Sequence, residues 1–205
     1  MSSVTSTLDA KRRPMQQDTP QRLEIGDGFY LAPIAASDKA AYLEHFVDPE
    51  IGRMLLSVPS PYTEADADRW IAHRLSDARE REIQFGIRLA DGSLIGGIGL
   101  VEERSRSVFR GEIGYWLARD YRGRGLMPRT IRVFAEYAFR ELQLHKLTAT
   151  TYPFNPSSSR ALEKAGFTLE GRLRQHTRSR TGDEYYDTLV YGLVPSDWTD
   201  SQLER

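Results

Sequence analysis

The chain has 205 residues, a formal net charge of −1, 40% apolar and 10% aromatic side chains, and no cysteine. That balance suits one ordered domain and excludes an intrinsically disordered chain or a general attraction to nucleic acid or anionic lipid. The missing thiols exclude disulfides, thiolate metal sites and a covalent cysteine nucleophile, and no run of about eighteen apolar residues offers a membrane span.

Residues 1–20 are Ser, Thr, Gln and Pro with a Lys11–Arg12–Arg13 cluster, which predicts a flexible arm. No signal-peptide apolar core is expected there, so the expected location is cytoplasmic. A single domain is expected over 21–198, with a tail at 199–205. Phe29–Pro33 reads as a strand. Asp38 to Phe46 carries Ala41, Tyr42, His45 and Phe46 at helical spacing. Thr63, with Asp66 three residues on, predicts a capping box for a helix that presents Ala67, Trp70, Ile71 and Leu75 and ends near Ala78.

Strands follow at Ile83–Leu89 and Leu94–Val101, joined by an Asp91–Gly92 turn. Gly96, Gly97 and Gly99 in the second predict a bulge or a close backbone approach. A third strand spans Val108 to Leu117. The helix after residue 125 shows Ile131, Phe134, Ala135, Ala138, Phe139 and Leu142, an apolar stripe along one face. Lys146–Thr151 is a β-branched strand. Asn155–Pro156 opens a short helix that Gly166 closes, with Phe167 covering its last turn. Strands at Thr168–Leu173 and Tyr185–Leu193 complete an α+β pattern with helices covering a mixed sheet.

Between the third strand and its helix lies Arg122–Gly123–Arg124–Gly125–Leu126–Met127–Pro128. A strand delivering glycines to a helix N-terminus exposes main-chain N–H groups to an anion, and the helix dipole adds to the attraction. Arg122 and Arg124 add charge. The spacing matches neither the P-loop nor the dinucleotide fingerprint; the strand before, the helix after and the flanking arginines favour an anion site over a surface turn with two arginines. Glu112, on the strand entering this loop, is a candidate general base if it faces inward and is partly buried. It is an arginine-paired surface carboxylate if it faces out. Ser158, in the first turn of the helix opened by Asn155, is either a local partner for orphan N–H groups or a hydroxyl donor in a positive field. His45, His73, His145 and His176 show no metal-ligand spacing. Arg172, Arg174, Arg178 and Arg180 read as a solvated strand face, and Trp70, Tyr185 and Tyr186 as packing residues.

Arg122-x-x-Gly125-x-Met127 resembles the R/Q-x-x-G-x-G/A loop of the GCN5-related N-acetyltransferase (GNAT) superfamily. Glu112–Ile113–Gly114–Tyr115–Trp116–Leu117, and Asn155-x-x-Ser158 followed by Leu162–Glu163–Lys164–Ala165–Gly166–Phe167, resemble the ribosomal-protein N-terminal (alanine/serine) acetyltransferase branch. Pro61–Tyr62–Thr63, Asp66–Ala67 and Trp70–Ile71 match its N-terminal helices. The resemblance runs from about residue 22 to 198. It implies a mostly antiparallel twisted sheet of about six to seven strands with a V-shaped splay, flanked by about four helices.

It also implies acetyl-CoA as co-substrate and no metal. The cofactor would be held by Trp116, Leu117, Arg122, Gly123, Arg124, Gly125, Leu126, Met127, Asn155 and Lys164, with Glu112 as base and Ser158 as acid. Met127 departs from the usual Gly or Ala, and Pro128 removes an N–H donor. The implied activity is acyl transfer to a primary amine in a ternary complex, with a strand N–H stabilising the oxyanion. An α-amine (pKa about 7.7–8.0) suits a single carboxylate base better than a lysine amine (about 10.4). Alternatives left open are a small-molecule amine (polyamine, amino acid or antibiotic), succinyl-CoA as donor, or a non-catalytic CoA-binding regulatory module. No nucleic acid or membrane partner is implied, and the assembly is a monomer or homodimer.

Overall fold

The computed structural model describes residues 22–56, 58–76, 81–105, 109–180 and 182–197. The predicted arm and tail lie outside them, as does the stretch containing Ala78. The order is β1 (Leu23–Gly26), β2 (Phe29–Pro33), α1 (Lys39–His45), α2 (Pro49–Met54), α3 (Glu64–Leu75), β3 (Glu82–Arg88), β4 (Leu94–Arg104) and β5 (Phe109–Leu117). Then come α4 (Leu126–Arg140), β6 (Lys146–Thr151), α5 (Pro156–Lys164), β7 (Thr168–Arg178) and β8 (Tyr185–Leu193).

The strands form one 8-stranded sheet in the order β1-β2-β3-β4-β5-β6-β8-β7. Every neighbouring pair is antiparallel except β5 and β6. Two elements exceed the sequence reading. β1 is too short to display a period, and it exists through its pairing with β2 across a turn in which Gly26, Asp27 and Gly28 all have positive φ. The short α2 starts at a proline, and Asp48 caps it by accepting from the Glu50 N–H at 3.0 Å.

Each face of the sheet buries its own core. α4 and α5 cover one face, where Ile131, Phe134, Ala135 and Ala138 pack with Ile113, Leu117, Leu147 and Leu162. The predicted stripe on α4 is therefore its core face, with Phe139 and Leu142 at the margin. On the other face Tyr42, Phe46, Ile51 and Ile71 from α1–α3 surround Trp116. The Trp116 ring crosses Phe46 edge-on at 4.9 Å. Gly97 makes room for it, since a Cβ there would stand 2.6 Å from Trp116 Nε1. That is the close approach expected of the β4 glycines. The register also shifts beside Gly96, a bulge.

The helix termini follow their local chemistry. Thr63 and Asp66 form the capping box, with Asp66 N–H to Thr63 Oγ1 at 3.3 Å and Thr63 N–H to Asp66 Oδ2 at 2.9 Å. Gly166, at φ +101°, ends α5 and lets the Phe167 N–H reach the Leu162 carbonyl at 3.0 Å. A buried ion pair fixes the approach of α1 to the sheet: Arg88 forks onto both oxygens of Asp38 at 2.8 and 2.7 Å.

Candidate active site

β5 stays paired with β4 to its end, Leu117 opposite Gly96. Its other neighbour leaves earlier. Parallel pairing with β6 stops at Ile113 opposite Ala149, while β6 follows β8 on to Thr151. The edge of β5 from Gly114 to Leu117 therefore faces a gap where strand pairing has ended. That gap opens into a cleft of about 710 Å³, walled by the end of α2, the 121–128 segment, residues 150–152 and α5.

The 122–128 segment forms one mouth of the cleft. Gly123 and Gly125 sit at φ +76° and +74°, a conformation costly for any residue with a Cβ. The resulting turn leaves the main-chain amides of residues 123–127 with no acceptor among the described residues. They lie at the N-terminus of the 15-residue α4, where the helix dipole favours an anion. The Leu126 and Met127 side chains are buried in the α4 core, so these residues offer a ligand their backbone. The bulk of Met127 is thus directed into the protein interior rather than into the loop mouth.

Arg122 corrects an expectation. Its guanidinium does not stand free beside the loop. Nε donates to the Leu117 carbonyl at 2.9 Å, Nη1 to Glu50 at 2.6 Å and Nη2 to Asp48 at 2.8 Å. Two carboxylates neutralise it, so it acts as a strut from the loop to α2 rather than as a source of positive field. Arg124 is exposed and lies 5.9 Å over the Tyr121 ring.

Trp116 is likewise engaged elsewhere. Its indole is buried against α1–α3, and only its main chain is available to a ligand on the unpaired β5 edge. Leu117 buries its side chain in the other core. Asn155 is the cap of α5: its Oδ1 accepts from the Ser158 N–H at 3.2 Å and from Ser157 Oγ at 2.8 Å. Lys164, exposed in the last turn of α5, borders the cleft.

Glu112 also borders the cleft, where its Oε1 accepts from Thr150 Oγ1 at 3.1 Å. It is exposed, not partly buried as the inward reading expected. The physical reason is that α1–α3 cover this face only at the Trp116 end of β5. Nor is it paired with an arginine among the described residues.

Side chains alternate along a strand, so Glu112 and Tyr115 leave β5 on opposite faces. Tyr115 packs with Ile113 and Leu117 against the α4–α5 core, and its Oη lies 2.8 Å from Ser158 Oγ. Burial pushes the Tyr115 phenol up to about 12, against the opposing pull of the Ser158 hydrogen bond. Reading the motifs missed Tyr115, although its i, i+2 spacing from Ile113 already places it on the face that α5 covers.

Three of the four hairpin arginines are bound to protein groups, and none of the four lines the cleft. Arg172 pairs with Asp187, Arg178 donates to the Gly182 carbonyl, and Arg180 donates to the carbonyls of Gly52 and Leu55 at 2.9 and 3.2 Å. His45 Nε2 lies 3.0 Å from the Leu94 carbonyl. Among the described residues no group of His, Asp and Glu is placed to hold a metal ion, and no helix is long and apolar enough to cross a membrane.

Residues 29–168 match the acetyltransferase (GNAT) domain family. The chain belongs to this family. It is similar to the Probable N-acetyltransferase YjcK of Bacillus subtilis (strain 168), 39% identical over 58% of this chain and 66% of that protein. It is also similar to the [ribosomal protein uS5]-alanine N-acetyltransferase of Escherichia coli (strain K12), 26% identical over 56% of this chain and 59% of that one. The chain thus spans less than two thirds of each of these relatives. Among solved structures, the fold matches the spermidine N-acetyltransferase from Vibrio cholerae in complex with CoA and spermine, at TM-score 0.71 and 21% identity, covering 84% of this chain and 98% of that one.

The family match places a GNAT acetyltransferase domain over residues 29–168. The residues present fit the acetyl-CoA that the sequence resemblance implies. Unpartnered amides at a helix N-terminus suit a pyrophosphate, and an unpaired strand edge suits a chain of amides such as pantetheine.

Proposed function

We propose that this GNAT enzyme acetylates a single primary amine, the α-amine of a peptide or protein, by direct attack in a ternary complex. The observation that carries this reading is the wedge in β5 and β6, with Glu112 on one face of β5 and the Tyr115–Ser158 pair on the other. Acetyl-CoA would supply the activated acyl group as a thioester. The amides of residues 123–127 would hold its diphosphate, and the β5 edge beyond Ile113 would hold its pantetheine and offer an N–H to the thioester oxygen. Asn155 keeps α5 capped, and Lys164 stands at the far rim of the same cleft.

Glu112 accepts the proton of the attacking amine, directly or through one water, and Ser158 donates a hydrogen bond to the sulfur. A thiol of pKa about 8.5 is a good leaving group, so a neutral donor suffices. An α-amine is partly neutral near pH 7, which suits an exposed carboxylate.

The charge in the cleft supports a one-amine acceptor over a polyamine. Of the carboxylates that border it, Glu50 is bound to Arg122, which leaves Glu112 without a cation among the described residues. Arg160 and Lys164 add positive charge to the wall, which opposes a polycation. On the acceptor side Val101, 56% exposed and opposite Glu112 in the sheet, joins Met54, Leu55 and Leu56 in an apolar margin. Such a margin suits the first side chains of a peptide. Succinyl-CoA as donor finds little support in the hairpin, because none of Arg172, Arg174, Arg178 and Arg180 lines the cleft.

The test is a mass-spectrometric screen in which acetyl-CoA or succinyl-CoA meets peptides, polyamines, amino acids and aminoglycosides. The expected product is a peptide acetylated at its α-amine. Acetylation of spermidine alone would overturn the acceptor class, and succinylation in preference to acetylation would overturn the donor.

A further inference from the structure

We infer that Tyr115 is a positioning residue for Ser158: its hydroxyl donates to Ser158 Oγ and leaves the serine's own proton directed at the cleft. The inference rests on the reading above that Ser158 assists the departing sulfur. A serine hydroxyl has one proton and two lone pairs, so what it donates depends on what it accepts. In the first turn of α5 the local competitor would be Asn155 Oδ1, but that atom already accepts from Ser157 Oγ and from the Ser158 N–H. Tyr115 Oη, at 2.8 Å, is the remaining partner of Ser158 Oγ.

A phenol is a stronger acid than an aliphatic hydroxyl, and Oη lies 2.8 Å from Ser158 Oγ against 3.4 Å from its other acceptor, the Ser158 carbonyl, which together favour the tyrosine as donor to the hydroxyl. Burial holds Tyr115 neutral far above working pH, so it donates a hydrogen bond without surrendering its proton. A hydroxyl that accepts one bond becomes a better donor of the next. The ring, packed with Ile113 against the core, fixes the direction.

The transfer balances without a proton relay through the pair. The C–N bond forms as the C–S bond breaks, the amine's proton goes to Glu112, and the electron pair goes to sulfur. Ser158 donates a hydrogen bond to that sulfur until water protonates it.

The experiment compares wild type, Tyr115→Phe, Ser158→Ala and the double variant, each checked for cooperative unfolding. Calorimetry measures the affinity for free CoA from pH about 7 to about 9.5, across the ionisation of a thiol near about 8.5. Wild type is expected to bind CoA more tightly as the thiol ionises. That gain shrinks in Tyr115→Phe, vanishes in Ser158→Ala, and is no smaller in the double variant than in Ser158→Ala. In turnover, Tyr115→Phe should lower kcat about tenfold with KM for acetyl-CoA within about twofold.

If Ser158→Ala loses the pH dependence and turnover while Tyr115→Phe keeps both, Tyr115 is only a packing residue and the inference fails alone. If Ser158→Ala behaves as wild type in both measurements, the reading of Ser158 fails and takes the inference with it.

Discussion

Asp48 and Arg122 meet at 2.8 Å, joining the cap of α2 to the loop that opens α4. The same carboxylate accepts from the Glu50 N–H, so one side chain both starts a helix and restrains the loop. Asp48→Ala removes both functions and is expected to cost about 1–2 kcal/mol of stability in denaturant unfolding. Asp48→Asn keeps a good cap and should cost less. Equal losses would show that the ion pair, rather than the cap, dominates.

Glu112 carries the base chemistry in the proposed reaction. Glu112→Gln should lower kcat/KM for the amine at neutral pH by about 10²-fold or more, while calorimetric affinity for CoA stays unchanged. Thr150→Val removes the 3.1 Å bond to the carboxylate and should have a smaller effect. A full rate in Glu112→Gln would remove this residue from the mechanism.

Gly125 is the first flank of α4 and needs its left-handed backbone. At φ +74°, Gly125→Ala is expected to lose about 1–2 kcal/mol in unfolding experiments. It should also weaken CoA binding, because relaxation of the turn would re-aim the amides of residues 123–127. Stability lost with CoA affinity intact would argue against those amides as the anion site.

Met127 is 9% exposed within the α4 core. Met127→Ala, although it restores the family's usual small residue, should therefore destabilise the protein by about 2–5 kcal/mol. CoA affinity should not rise. A gain in affinity would show that the side chain reaches the loop mouth.

Tyr115 makes stability depend on alkaline pH. Its folded pKa is raised, to about 12 against about 10 for a free phenol. Its contribution is therefore fully present below pH about 10 and is lost as the pH rises toward about 12, where the unfolded chain ionises first. Thermal unfolding of Tyr115→Phe should show a shallower loss of stability over that interval than wild type. An unchanged slope would mean that the phenol ionises freely in the folded protein.

Much of the fold was legible because its signals are local. The Ile131–Phe134–Ala135–Ala138 spacing identified the buried face of α4, and Thr63 with Asp66 marked the start of α3. The run Lys146–Thr151 coincided with β6. The shortest elements escaped. A four-residue β1 has no period to read, and α2 is defined by a cap and a proline within a stretch rich in loop residues. One later strand ran longer than expected: β7 continues to Arg178 past an irregular register between Leu173 and Thr177, where Gln175 has φ +50°.

By itself, the order of residues determined that a strand bearing Glu112 feeds a two-glycine turn and a long amphipathic helix, since spacing, backbone freedom and dipole are properties of neighbours in the chain. Tertiary structure alone decided where the charges and hydroxyls went. It sent Arg122 to Asp48, 74 residues away, turned Met127 inward, left Glu112 in the open, and set Tyr115 beside Ser158, 43 residues on. Those pairings come from packing elements that are distant in the chain, and no local pattern encodes which polar atom meets which across a sheet.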